Sequence, residues 1–241
     1  MSKVIDLIIG RRECPLPILS DEEKLTSWST TLWAEVLQQH VSDTGRVSYD
    51  TLQSDQRFLQ VVEVISRCSP HSHPDLFSSA DAKLSFWINA YNILTLWGVV
   101  SSGIHQSVQE INVSTWLRVN AGQDFFVALR FLVGGTWMSL YYLENTIIRG
   151  FGDGRIHAAI NCASNGCPIL HTEPYQAEIL NDMLTDSMRL MVNSPQHLSA
   201  SRSDQCVYAS QIFKWYLKDF EARRKTDLFQ YWLQYASTDL S

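Results

Sequence analysis

The chain has 241 residues, of which 45% are hydrophobic and only 18% charged, enough apolar material for a large core and too much for wholesale disorder. Nineteen basic against twenty-five acidic residues leave a net charge of -6, so the chain lacks the positive footprint of a general nucleic-acid binder. Its five cysteines are widely spaced; they fit free thiols in a reducing compartment better than a disulfide scaffold, and the cytosol is the expected location.

Residues 1–20 read as an N-terminal extension, followed by a single domain over 21–241. Val4-Ile5-Asp6-Leu7-Ile8-Ile9 is too short for the apolar core of an export signal and carries an acid in its middle. Residues 21–41 predict an amphipathic helix, with Leu25, Trp28, Leu32, Trp33, Val36 and Leu37 near helical spacing and Asp21-Glu22-Glu23 at its positive end. Arg46-Val47-Ser48-Tyr49 predicts a short extended piece. A second helix is expected over 54–67 with Phe58, Val61, Val62 and Ile65 inward, stopped by the prolines of Ser69-Pro70-His71-Ser72-His73-Pro74.

The third helix, 79–100, is apolar nearly all round and must be covered on most sides. Its polar members Ser85, Asn89, Asn92 and Thr95 are spaced by four, three and three residues, so they form one polar seam along a buried helix. The uncharged run from Leu84 to Gln109 is interrupted too often by these residues and by Ser101, Ser102 and Gly103 to read as a membrane span. Residues 125–133 predict a strand, Gly134-Gly135 a tight turn and Thr136-Trp137-Met138-Ser139 the returning strand. A helix is expected from Leu140 to Arg149, and Arg155 to Ile160 predicts an inner strand. Helices at 173–193, 209–220 and 226–236 complete an α+β layout in which helices dominate and the buried helix packs on a small, mostly antiparallel sheet.

The chemistry concentrates between Arg155 and His171, where two cysteines and two histidines stand among Asn161, Ser164 and Asn165. A cysteine at the end of a strand acts as a nucleophile when an imidazole holds it as thiolate and a third group orients the imidazole. Cys162 and His157 are the pair, with Glu144 as the orienting carboxylate. In a regular strand, 157 and 162 face opposite sides, so they meet only where the strand ends or bulges before Cys162. The competing reading makes Cys162 a small buried hydrophobe and His157 a hydrogen-bonded core residue.

The same segment spells His-x4-Cys-x4-Cys-x3-His, but that spacing matches no common zinc site, and no metal or cofactor is expected. A Cys162–Cys167 disulfide is conceivable; the spacing is not that of a redox C-x-x-C, and a reducing compartment argues against a permanent bond. Asn89 and Asn92 have two readings: caps for neighbouring backbone, or the lining of a substrate cavity. No P-loop, dinucleotide fingerprint or nucleophile elbow is present.

Several phrases stand in a telling order: Gly45-Arg46-Val47-Ser48-Tyr49; Lys83-Leu84-Ser85-Phe86-Trp87-Ile88-Asn89-Ala90-Tyr91-Asn92; Ser139-Leu140 with Glu144 and Arg149; Arg155-Ile156-His157; Asn161-Cys162-Ala163-Ser164 with Cys167-Pro168; and Ile212-Phe213-Lys214-Trp215-Tyr216 with Asp219-Phe220. Over about residues 33 to 236 the chain thereby resembles the family known as domain of unknown function 547. The resemblance brings no settled activity. It implies that Asn89, Tyr91, Asn92, Glu144, Arg155, His157, Asn161, Cys162, Ser164 and Cys167 belong to the site. A papain-like or transglutaminase-like architecture is its expected fold by analogy alone. Exported bacterial members occur, and this chain departs from them in showing no export signal.

The leading expectation is a cysteine-dependent hydrolase or acyltransferase acting on a small-molecule or peptide substrate. Cys162 is its nucleophile, His157 its base, Glu144 or a seam asparagine its orienter, and backbone N–H groups near Ser164 its oxyanion donors. Asn89, Tyr91, Asn92, Arg155, Asn161, Ser164 and Cys167 are the expected binding residues. The alternative is a non-catalytic module that binds a small molecule or a protein partner; a structural zinc module is a distant third.

Overall fold

A computed structural model describes residues 12–20, 27–103, 124–201, 203, 205–222 and 227–237. Val4 to Ile9 and the acidic start Asp21-Glu22-Glu23 lie outside them. Helix α1 runs Thr30–His40, with the Ser29 hydroxyl accepting from the Leu32 N–H and with Trp33, Val36 and Leu37 buried. Val47 bridges to Val41 before a single helical turn, Tyr49–Leu52. Helix α2, Gln56–Arg67, starts at an Asp55 cap and buries Phe58, Val61, Val62 and Ile65, the predicted face.

Helix α3, Ala80–Ser102, is capped by Ser79 at its start and by left-handed Gly103 at its end. It is buried along almost its whole length, Leu84 to Val99. Apart from the polar seam, apolar side chains surround it, as expected of a helix enclosed by protein. No helix among the described residues is long and apolar enough to cross a membrane.

The sheet is built from three short strands in the order β1-β2-β3. Strand β2, Leu129–Val133, turns through Gly134-Gly135 into antiparallel β3, Thr136–Met138. Strand β1, Arg12–Glu13, adds on in parallel, Arg12 opposite Leu129. Part of the segment read as an extension is therefore woven into the fold: Cys14 is buried and the Trp97 indole N–H donates to the Pro15 carbonyl. The sheet lies chiefly on α2 rather than on α3, and the hairpin turn caps α2 where Gly134 and Gly135 donate to the carbonyls of Ile65 and Ser66.

Two corrections concern the segments around the site. Residues 155 to 160 do not form a strand: Gly154–Ala158 is a 3-10 turn capped by the Asp153 carboxylate. The predicted 140–149 helix is a single α turn, Leu140–Tyr142, that widens into a π-helix, Leu143–Ile148, and tightens into a 3-10 turn, Arg149–Phe151. Helix α4, Leu180–Val192, leads to an unforeseen hairpin, β4 Leu198–Ser201 against β5 Cys206–Ala209. Short helices α5, Gln211–Trp215, α6, Leu217–Ala222, and α7, Leu228–Leu233, follow. They close a second apolar cluster around Phe213, Phe220 and Tyr231. The whole is an α+β single domain dominated by helices.

Candidate functional site

Residues 161–168 form a loop tied down from several sides. Asn92, projecting from α3, donates through Nδ2 to the Ala159 carbonyl at 3.0 Å and accepts from the Asn161 N–H at 2.8 Å. Asn161 in turn accepts from the Ala163 N–H at 2.8 Å and donates to the Pro168 carbonyl at 2.8 Å. This turn holds Ala163 at φ 54, the left-handed region that a residue with a Cβ rarely enters. Gly45 seats the loop's far end: its φ is +73, and a Cβ there would stand 2.8 Å from the Ile169 Cβ. The first family-like phrase thus supports the end of the fifth.

Cys162 and Cys167 are joined as a disulfide within this loop. That corrects the expectation of free thiols here; Cys14, Cys68 and Cys206 are free. Cys162 is half-buried and Cys167 buried. The Cys162 backbone N–H donates to the Cys167 sulfur at 3.2 Å, and the Ser164 hydroxyl stands 3.5 Å from each sulfur. Both groups can hydrogen-bond a thiolate.

Asn89 does for residue 175 what Asn92 does for the loop. Its Nδ2 donates to the Tyr175 carbonyl at 2.8 Å and its Oδ1 accepts from the Tyr175 N–H at 3.0 Å. Both seam asparagines therefore grip backbone, the first of their two readings. An open cleft of about 470 Å³ is lined by Arg12, Glu13, Arg130 and Trp137 and contains neither asparagine. Arg155 is also engaged by the fold: its guanidinium clamps Asp153 and reaches the Asn181 and Thr185 side chains on α4.

A second constellation lies on the other side of the 3-10 turn. His157 Nε2 meets the Asp219 carboxylate at 2.8 Å, and its ring stacks on Tyr216 with centroids 3.7 Å apart. Arg149 forks onto the same carboxylate at 2.6 and 2.9 Å. Gly154 makes the approach feasible, because a Cβ there would sit 2.7 Å from the Asp219 carbonyl oxygen. Deeper in, Glu144 accepts from the Tyr91 hydroxyl at 3.2 Å and from Tyr216.

The charges in this network are strongly conditioned. Burial alone would raise Asp219; the hydrogen bonds from His157 and Arg149 outweigh it and hold the carboxyl well below the usual range. Burial, reinforced by the Glu144 charge, pushes the Tyr91 and Tyr216 phenols up, so both stay protonated donors. His157 finds its carboxylate in Asp219, not in Glu144.

The structure brings some expected residues together and not others. Tyr91 with Glu144, and Asn92 with Asn161, form pairs. No hydrogen bond joins His157 to Cys162 among the described residues. His171 bonds Ser187 at 3.0 Å, and no group of three or more His, Cys, Asp or Glu side chains among the described residues could hold a metal. Tyr216 and Asp219 escape sequence reasoning as site residues although they stand in the last family-like phrase; Tyr216 sits at the break between α5 and α6 and Asp219 on α6.

Comparison of the chain with curated proteins and with solved structures finds no match in either. The family model described as "Protein of unknown function, DUF547" does match, over residues 75–191, a narrower span than the motifs suggest. It takes in α3, Glu144, the 3-10 turn carrying His157 and the whole disulfide loop. Residues 75–191 of this chain belong to that family of unknown function.

Proposed function

We propose that the chain is a thiol–disulfide exchange module whose reactive pair is Cys162 and Cys167. The observation that carries this reading is a disulfide in a tightly held loop, with one accessible sulfur and hydrogen-bond donors beside the buried one. A thiolate from a small molecule or a peptide attacks the half-buried Cys162 sulfur. The Cys162–Cys167 bond breaks and a mixed disulfide forms on Cys162, while Cys167 leaves as a thiolate facing the Cys162 N–H and the Ser164 hydroxyl. A second thiolate then attacks the mixed disulfide at the incoming sulfur. This releases the Cys162 thiolate and an oxidised thiol pair, and solvent protons complete the two cysteine thiols. The two steps consume two outside thiols and leave the dithiol, and the reverse exchange with a small-molecule disulfide such as oxidised glutathione, which is reduced to two thiols, restores the Cys162–Cys167 bond.

A second reading keeps Cys162 as the nucleophile of a hydrolase or acyltransferase, working once the disulfide is reduced. The 2.8 Å contact of His157 with Asp219 favours it, since that is how a base is oriented. In this version Asp219 takes the role expected of Glu144, Asn161 and Ser164 shape the loop, and Arg155 ties the 3-10 turn carrying His157 to α4.

One experiment separates the readings. The protein is equilibrated with mixtures of reduced and oxidised glutathione, quenched by alkylation and mapped by mass spectrometry, and its reduced form is treated with an electrophilic acyl probe. Exchange predicts a reversible, glutathione-dependent transition confined to Cys162 and Cys167. Acyl transfer predicts instead rapid acylation of reduced Cys162 that is lost in His157→Ala. Two thiols inert in both assays contradict both readings.

A further inference from the structure

The tip of the disulfide loop carries chemistry of its own, apart from its sulfurs. Asn165 and Gly166 stand between the two cysteines and form the only Asn-Gly pair in the chain. They fill the two central places of a tight turn, closed where the Cys167 N–H donates to the Ser164 carbonyl at 3.1 Å. Both residues are exposed. Every other described asparagine has its side-chain amide hydrogen-bonded to protein, whereas the Asn165 amide bonds no described group.

An asparagine before a glycine consumes its own amide when the geometry allows. The Gly166 backbone nitrogen, on losing its proton, attacks the Asn165 Cγ. A new N–Cγ bond closes a cyclic imide, the Cγ–Nδ2 bond breaks, and the side-chain nitrogen leaves as ammonia with the proton that Gly166 gave up. Water then opens the imide at either carbonyl. One opening leaves an ordinary aspartate; the other leaves an isoaspartate, whose main chain runs through the side-chain carbon.

Three features of the loop favour this reaction. No side chain crowds the attacking nitrogen: even a Cβ built on Gly166 would meet nothing nearer than the Ser164 hydroxyl at 3.9 Å. The Gly166 N–H donates to no described acceptor, so no hydrogen bond must break first. The Gln196 side chain donates to the Asn165 carbonyl, the oxygen of the same peptide unit. That hydrogen bond draws electron density from the Gly166 N–H and eases removal of its proton. Asp153-Gly154, the chemically related pair, lacks all this. Asp153 is buried and clamped by the Arg155 N–H and guanidinium, and Gly154 is pressed against the Asp219 backbone.

We infer that Asn165-Gly166 is a self-modification site, at which the disulfide loop converts with time into aspartate and isoaspartate forms. The inference goes beyond the exchange reading and does not depend on it. Either product places a negative charge between the two cysteines, and isoaspartate also lengthens the main chain that joins them.

The test incubates the oxidised protein at neutral pH and physiological temperature and maps its peptides by mass spectrometry over time. The readout is replacement of NH2 by OH at each asparagine, with the two products separated by retention. Asn193 is the internal reference, since its Nδ2 is tied to the Arg189 and Tyr235 carbonyls. Gly166→Ala is the variant, because the turn has room for a Cβ and Gly166 needs no left-handed φ. The expected result is conversion at Asn165 faster than at Asn193 by about tenfold, a barrier lower by about 1.4 kcal/mol. Isoaspartate appears among the products, and Gly166→Ala loses most of the difference. Equal rates at Asn165 and Asn193 overturn the inference. So does conversion to aspartate alone at an unchanged rate in Gly166→Ala, which is direct hydrolysis without the imide. Should the variant not fold, hydroxylamine, which splits a chain at an imide, decides on the unmodified protein: cleavage after Asn165 supports the site, and an uncut chain overturns it.

Discussion

The disulfide loop and the His157–Asp219 network flank the same 3-10 turn, yet they are built on opposite plans. The loop is held through main-chain groups: Asn161 binds partners two and seven residues away inside it, while Asn92, 69 positions away on α3, and Gly45 fix it from outside. The network is held by side chains brought from afar, with Tyr91 and Glu144 separated by 53 positions and Arg149 and Asp219 by 70. Asn92 and Tyr91 are neighbours on one helix and serve one region each. The difference lies in what is gripped: main-chain groups in the loop, and charged and phenolic side chains from α3, the π-helix and α6 in the network.

The sharpest way to break this contrast is Asn92→Ala. It removes two buried hydrogen bonds and leaves the Ala159 carbonyl and the Asn161 N–H without their partner. The expected loss is about 3 kcal/mol, read from the urea midpoint at constant slope. The Cys162–Cys167 bond is expected to become more reducible as well. A large stability loss with an unchanged disulfide equilibrium would mean that the loop does not depend on its anchor.

A smaller effect is expected from Asp219→Asn, and its sign follows from linkage. The folded carboxyl lies below its unfolded value, so the unfolded chain takes up a proton at a higher pH than the folded chain. Its contribution is complete above about pH 4, the ordinary range of the group, and is lost as pH falls through the folded value. Wild type should therefore be the more stable protein at neutral pH, with the gap to Asp219→Asn narrowing steadily below about pH 4. Urea midpoints at a series of pH values check this; a gap that stays constant into acid would detach Asp219 from its cationic partners.

The same contrast explains which parts of the fold and the site are legible in the amino-acid sequence. The polar seam and the Asn-Cys-Ala-Ser phrase declare themselves because their logic is local: helical spacing in one, turn-forming residues in the other. The α2 face and the Gly134-Gly135 hairpin are legible for the same reason. Arg155 to Ile160 misleads because a short apolar run of strand type can also be a buried 3-10 turn, once Asp153 caps it and Arg155 pins it to Asn181. The β4–β5 hairpin escapes notice because Leu198-Ser199-Ala200-Ser201 carries no strand-forming pattern. The partner of His157 is 62 residues away on α6, and nothing in the order of the chain reveals such a pairing.

The central claim is that Cys162 is the sulfur through which the disulfide exchanges with outside thiols. Incubating Cys167→Ser with oxidised glutathione and locating the adduct by mass spectrometry tests it directly. The expected result is a stable glutathione mixed disulfide on Cys162, with the buried thiols Cys14 and Cys68 untouched, and far slower capture at Cys167 in Cys162→Ser; any adduct on the exposed Cys206, common to both variants, is mapped apart from these. Equal capture at Cys162 in the one variant and at Cys167 in the other, or none at either, would contradict it.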